Sequence, residues 1–282
     1  MIGFLGTGLL GSGFVRALLR HGEDVQIWNR SPDKARALEE FGAKTCASPA
    51  EAARGAARVH LTLSDDTAVD AVLEQARPGL AAGALIVDHT TTAPDPTRGR
   101  IARWNDAGFV FQHAPVFMGP MNALEGTGTM LASGDRDRFD RVAPLLEKMT
   151  GKLMYLGSEP ARAASVKLMG NLFLVAMTAG LADMFLLGKA LGVPAEEGMH
   201  LLDWFNPSAM APARAKRMMT ANLSEPSWTL AMARKDVRLM IESAQAHDTA
   251  LAFLPAIAAD MDRWLKAGHA QDDYMVIGDE AR

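Results

Sequence analysis

Ile2-Gly3-Phe4-Leu5-Gly6-Thr7-Gly8-Leu9-Leu10-Gly11 opens the chain with a short apolar run, a glycine-rich turn and the start of an apolar helical pattern. The GxGxxG spacing is a weak signal alone and a meaningful one between a strand and a helix. Gly6 permits a tight turn. Gly8 lacks a Cβ, so backbone there can approach a pyrophosphate. Gly11 lets helix and strand pack closely. The first helical turn then offers free N–H groups and the positive end of the helix dipole to phosphate. Gly6, Thr7, Gly8, Leu9, Leu10 and Gly11 are therefore candidate dinucleotide-binding residues, and the fold expected around them is a doubly wound, mostly parallel sheet.

The pattern outward from this turn agrees. Apolar runs at Ile2–Leu5, Asp24–Trp28, Val59–Leu63, Leu85–Asp88, Phe109–Gln112, Thr129–Ala132 and Lys152–Leu156 read as strands. Amphipathic stretches at Leu9–His21, Pro32–Phe41, Thr67–Arg77 and Pro96–Ala107 read as helices between them. Strand and helix in alternation imply α/β layers with helices on both faces. Near residue 158 the pattern changes. Ala161–Leu191 has helical composition throughout and ends at Gly192 with Pro194 beyond. Pro194–Trp204, Ala211–Asn222, Trp228–His247 and Leu251–Ala267 follow as helices, with no strand among them. The expected organisation is a Rossmann domain at 1–160 and an all-α domain at 161–282.

At 49% hydrophobic and 22% charged residues the 282-residue chain has a globular balance. Its net charge of −4 gives no electrostatic reason for a nucleic-acid or anionic-membrane partner, so a small-molecule substrate is expected. A single cysteine, Cys46, excludes an intrachain disulfide and fits a reducing compartment. The chain opens directly on the first strand, so no targeting segment and a cytoplasmic location are expected. The long stretch Leu168–Leu187 carries Asn171 and Asp183 and reads as a buried helix rather than a membrane span. The histidines show no metal-ligand spacing, and no metal is expected. Met218, Met219, Met232, Met240 and Trp204 fall at helical spacing and read as core.

The second strand selects the cofactor. Readers of an unmodified ribose place Asp or Glu at its end. Here it ends Trp28-Asn29-Arg30-Ser31, with no acid. Arg30 suits a charge-assisted pair with a 2′-phosphate, with Asn29 and Ser31 as further donors, so NADP (as NADPH) is expected over NAD. Leu63 and Ser64, at the end of the third predicted strand, are assigned to the cofactor too.

The chain resembles the β-hydroxyacid dehydrogenases, which include 3-hydroxyisobutyrate dehydrogenase, glyoxylate and semialdehyde reductases and, more distantly, 6-phosphogluconate dehydrogenase. The opening glycine block and Asn29-Arg30-Ser31 carry the first part of the resemblance. Asp88-His89-Thr90-Thr91 is similar to a family turn whose threonine touches the nicotinamide, a role that passes to Thr91. Lys167-Leu168-Met169-Gly170-Asn171 looks like the helix of the catalytic lysine. Lys235-Asp236-Val237 is similar to a later Lys-Asp-Leu block, implying Lys235 beside the cofactor and Asp236 beside the substrate; flanked by Arg234 and Arg238, the pair also reads as a plain charged helix face. The resemblance implies hydride transfer between nicotinamide and a hydroxy acid or related carbonyl compound, with Lys167 as general acid/base and Asn171, at i+4, on the same helix face. It also implies a homodimer or homotetramer through the helical domain, because family members cover the long apolar helix with a partner chain.

One block departs. Family members read Asp-Ala-Pro-Val-Ser-Gly-Gly, and its serine and glycines bind the substrate carboxylate. This chain reads His113-Ala114-Pro115-Val116-Phe117-Met118-Gly119. Phe117 donates no hydrogen bond and Met118 adds bulk, so Phe117, Met118 and Gly119 become candidate substrate residues of altered preference. A larger or less polar carbonyl compound and poor use of 3-hydroxyisobutyrate are expected. An imine reductase shares the architecture but commonly has another residue, often Asp, at the lysine position. A non-catalytic NADP-binding module would be expected to lose the lysine altogether.

Overall fold

The computed structural model describes residues 1–282, which form two compact units, Met1–Asn171 and Leu172–Arg282. The first contains β1 (Ile2–Leu5), α1 (Leu9–Arg20), β2 (Val25–Trp28), α2 (Pro32–Arg36), β3 (Lys44–Thr45), α3 (Pro49–Ala53), β4 (Arg58–Leu61), α4 (Asp66–Ala76) and β5 (Leu85–Asp88). It continues with α5 (Pro94–Asp106), β6 (Val110–His113), β7 (Val116–Phe117), α6 (Pro120–Glu125), β8 (Thr129–Ala132), α7 (Arg136–Leu146), β9 (Lys152–Tyr155) and the start of α8 (Arg162–Ala190). Six strands form a parallel sheet in the order β3-β2-β1-β4-β5-β6. The order reverses between β1 and β4, the switch point where open α/β sheets bind ligands.

The β1 sequence shows why both faces are covered. Ile2 and Phe4 pack with Phe14, Val15 and Leu18 of α1. Leu5 packs on the other face with Ala52, Val69, Leu73 and Trp104. Gly3 points the same way as Leu5, where a Cβ would lie 2.5 Å from Ala52 O. Short polar residues start the helices of that second face: Ser48 Oγ accepts from Glu51 N at 3.2 Å, and Asp65 Oδ1 accepts from Ala68 N at 2.8 Å.

Several expectations need correction. The helix read over Pro32–Phe41 stops at Arg36; Leu38 turns into the core, a 3-10 turn covers Glu39–Phe41, and Gly42 reverses the chain at φ +100°. Strands β3 and β7 have two residues each, too few to show a period. The runs at Thr129 and Lys152 do not extend the parallel sheet; they form a separate sheet β7-β8-β9 whose first pair is antiparallel. Helix α8 is unbroken over its 29 residues but is not buried: Leu172, Phe173 and Val175 are exposed, and 6% of its most apolar window is covered. By length and composition it would also suffice to cross a membrane.

The second unit continues α8 and adds α9 (Ala195–Trp204), α10 (Ala211–Thr220), α11 (Leu230–Gln245), α12 (Leu254–Lys266) and a terminal 3-10 helix, Tyr274–Ala281, which the sequence reading did not include. Its core joins Leu230, Ala233 and Val237 of α11 to Met261 and Trp264 of α12. Met218 packs against this core, whereas Met219, Met232, Met240 and Trp204 are exposed, so most of that set is surface. Two carboxylates tie the unit together. Asp183 accepts the N–H groups of Ala252, Phe253 and Leu254 at 2.8–2.9 Å where α12 begins. Asp273 accepts from Ser227, Arg217 and Met275; burial opposes its charge, but these bonds outweigh it and hold the carboxyl at about 2.

The core of the first unit also holds a chain of polar groups. Arg58 Nε donates to His60 Nε2 at 3.1 Å, His60 Nδ1 lies 3.0 Å from His89 Nε2, and His89 Nδ1 lies 2.8 Å from Ala114 O. Because Arg58 only donates and Ala114 O only accepts, both imidazoles are neutral and carry their proton on Nδ1. Burial holds both below the usual histidine range, His89 at about 4, with further lowering of His60 by His89 and Arg58. A histidine kept neutral by folding stabilises the fold above its unfolded pKa, and that stability is lost as pH falls toward the folded value. For His89 the window runs from 6.5 down to about 4 and is worth about 3 kcal/mol. Urea unfolding between pH 7 and pH 4.5 is expected to show this loss. A His89→Gln variant, which keeps a donor but cannot take up a proton, is expected to show a shallower pH dependence; identical slopes would refute the assignment.

Candidate active site

The glycine turn works by exclusion. Gly6 sits at φ +97°, and a Cβ there would overlap Thr62 O. A Cβ at Gly11 would overlap Gly6 O and Thr62 Oγ1. Thr62 Oγ1 donates to Gly6 O at 2.7 Å and fixes the turn against the end of β4. Gly8 differs: it is extended (φ −68°, ψ −169°), and nothing lies within 4 Å of where its Cβ would be. The open space thus falls at the glycine where a pyrophosphate approaches. Thr7 N donates to Asn29 Oδ1 at 3.0 Å, while buried Thr7 Oγ1 has no partner. An open cradle at the N-terminus of α1 with an orphaned hydroxyl beside it fits a dinucleotide.

Two cavities meet along this turn. One, of about 480 Å³, is lined by Gly6, Gly8, Asn29, Arg30, Ser31, Leu63 and Ser64 among others, so these predicted cofactor residues come together. It also includes Lys34, which sequence reading missed. Arg30 and Lys34 are the cations that line this cavity. The other, of about 300 Å³, shares Gly8, Leu63 and Ser64 and adds Leu9, Leu10, Gly11, Thr91 and His89. The turn after β5 is pinned from within: Thr90 Oγ1 accepts from Leu63 N at 3.0 Å, and Thr92 Oγ1 lies 2.7 Å from Thr97 Oγ1. Thr90 and Thr92 are buried, which leaves Thr91 as the exposed threonine of the run.

Lys167 belongs to the part of α8 inside the first unit. Ala161, Ala163 and Ala164 are buried, and Ser133 Oγ accepts from Ala163 N at 3.0 Å, which anchors the first turn of the helix. One turn on, Lys167 is 8% exposed. Its Nζ donates to Asn171 Oδ1 at 2.9 Å and lies 4.4 Å from the centroid of the Phe117 ring. No carboxylate accompanies it, and burial lowers its pKa from the ordinary 10.5. The pair Lys167 and Asn171 is thus formed as the helix spacing required, and Phe117 of the altered block joins it. Gly119 ends that block as the residue before α6, with its N–H held by Asn122 Oδ1. Lys235 and Asp236 lie on α11 of the second unit, 2.7 Å apart.

Residues 1–157 match the NAD binding domain of 6-phosphogluconate dehydrogenase, and residues 161–278 match the NAD-binding domain of NADP-dependent 3-hydroxyisobutyrate dehydrogenase. The chain belongs to the β-hydroxyacid dehydrogenase family. It is 26% identical over 286 residues to 3-sulfolactaldehyde reductase of Escherichia coli (strain K12), spanning 100% of this chain and 95% of that relative. Mitochondrial 3-hydroxyisobutyrate dehydrogenase of Mus musculus is 25% identical over 294 residues, covering 98% and 85%. Among solved structures, an imine reductase from Myxococcus stipitatus in complex with NADP+ superposes with a TM-score of 0.91 over 100% of both chains. At 18% identity that likeness is one of fold. This β-hydroxyacid dehydrogenase is an NAD(P)-dependent oxidoreductase.

The glycines separate binding from folding. A Gly8→Ala variant is expected to melt within about 2 °C of wild type yet to bind NADPH about tenfold or more weakly. Gly11→Ala is expected to lose both. Thermal melts with NADPH fluorescence titrations read the two; unchanged NADPH affinity in Gly8→Ala would count against the cradle.

Proposed function

We propose that this family member is an NADPH-dependent reductase of carbonyl compounds in which Lys167 is the proton donor. The observation that carries the reading is a buried ammonium with no carboxylate partner, held by Asn171 on the helix face where the family resemblance puts the catalytic lysine. When bound, the reduced nicotinamide supplies the hydride to the carbonyl carbon. Lys167 stabilises the negative charge that develops on the oxygen and gives it a proton. Asn171 orients Nζ in either protonation state. Burial eases the loss of the proton, because it disfavours the charged form. In the reverse direction the neutral amine takes the proton back.

The preference for NADPH rests on Arg30, with Lys34 as a second cation in the same cavity. Thr91 is assigned to the nicotinamide side of the groove. The exposed apolar face of α8 at Leu172, Phe173 and Val175 is assigned to a second copy of the chain, giving a homodimer or homotetramer.

Lys167→Met is expected to lower kcat by about 10²–10⁴-fold while leaving NADPH affinity within about twofold. In the wild type, the alkaline limb of kcat for reduction is expected below pH 10.5, since the donor must be protonated and its pKa is lowered. Arg30→Ala is expected to weaken NADPH by about ten- to a hundredfold and NADH little, the loss of a charge-assisted pair. NADPH oxidation assays across aldehydes, keto acids and cyclic imines test the reaction class. A cyclic imine reduced faster than every carbonyl compound would replace this reading with imine reduction.

A further inference from the structure

Phe117 and Met118 are bulky where the family resemblance implies a serine and a glycine, and the fold makes room for both. Phe117 ends β7 opposite Thr129 of β8, and its ring lies on Gly170 of α8. A Cβ at Gly170 would come 2.6 Å from Phe117 Cε1, so no other residue fits beneath the ring without displacing it. Met118 has its own relief at Gly128, which sits at φ +81° and where a Cβ would lie 2.8 Å from Met118 Cγ. Each large side chain meets a glycine on another segment. Phe117 is thus accommodated by the lysine helix itself, because Gly170 lies between Lys167 and Asn171 in sequence, whereas Met118 is accommodated outside it.

The ring also faces the ammonium, with Nζ of Lys167 4.4 Å from its centroid. An aromatic face attracts a cation through its quadrupole but donates no hydrogen bond to an anion. We propose that Phe117 is a specificity-determining residue of the Lys167 site: its ring presents apolar surface with no hydrogen-bond donor beside the ammonium, so that the enzyme selects neutral carbonyl compounds over carboxylate-bearing ones while the ring holds the lysine as an ammonium. A substrate carboxylate beside the carbonyl would bring a charge whose hydration the site must replace. On the Phe117 side it would meet a ring that donates no hydrogen bond, so that lost hydration is not replaced there. This inference rests on the reading of Lys167 as proton donor.

The test compares methyl 4-oxobutanoate with 4-oxobutanoate, an aldehyde pair differing in one charge, by initial rates with NADPH. Wild type is expected to favour the ester by about tenfold or more in kcat/KM, and Phe117→Ser to lower that ratio by about tenfold or more, chiefly through KM for the acid. A wild-type preference for the acid, or an unchanged ratio in Phe117→Ser, overturns the inference and leaves Lys167 as donor. Should the serine variant not fold, Phe117→Thr carries the same comparison. Lys167→Met turning over the ester at the wild-type rate overturns the donor reading itself, and turnover of neither compound by wild type overturns both. A second readout is independent of activity. In 13C-lysine NMR titrations, with the Lys167 signal assigned by its absence in Lys167→Met, Phe117→Leu is expected to lower the Lys167 midpoint by about half to one and a half pH units. An unchanged midpoint overturns the hold of the ring on the ammonium.

Discussion

The end of β1 is where three stretches of backbone come closer than any side chain allows. Gly6 and Gly11 face each other and Thr62 with no space for a Cβ, and the Thr62 hydroxyl locks the turn by bonding Gly6 O. Only this closeness brings the N-terminus of α1 up against the strand ends at the point where the sheet order reverses. The groove, its open side at Gly8 and the cations at one end all follow from it. The neighbouring turn after β5 is fixed from beneath by buried threonines and by the neutral imidazole pair His60 and His89, so the floor of the groove is set by the interior of the sheet.

A second constraint concerns charge. Lys167 is buried without a counter-ion, which is costly unless something uses the ammonium. Asn171 accepts one N–H, and the Phe117 ring lies within cation–π distance of Nζ. Neither neutralises it. An ammonium without a counter-ion is suited to stabilise a negative charge that develops on a neighbouring oxygen, which is the ground for proposing Lys167 as the proton donor. The Phe117 ring beside that ammonium donates no hydrogen bond, which is the ground on which a neutral substrate is proposed.

Much of this was legible in the sequence because it is local. The glycine turn, the acid-free end of β2 and the i+4 spacing of Lys167 and Asn171 each lie within a few residues. The features that escaped depend on pairings across the chain. His60 and His89 meet because β4 and β5 are neighbours; neither residue signals the other in sequence. Gly170 gives no sign in sequence that the ring of Phe117 lies on it. Lys34, in the first turn of α2, lines the groove beside Arg30, and nothing in its local sequence marks it for that place. Apolar composition alone does not say whether a helix face is covered, and within this chain Leu172, Phe173 and Val175 of α8 are exposed.

The most direct measurement of the central claim is a crystal structure of the complex with NADP+ and an unreactive analogue of a neutral carbonyl compound. The analogue's oxygen is expected within about 2.6–3.2 Å of Lys167 Nζ, with its apolar part against Phe117 and the dinucleotide along the Gly8 side of the turn. An analogue oxygen bound elsewhere, with Lys167 still engaged by Asn171 alone, would contradict the assignment of this lysine to the reaction.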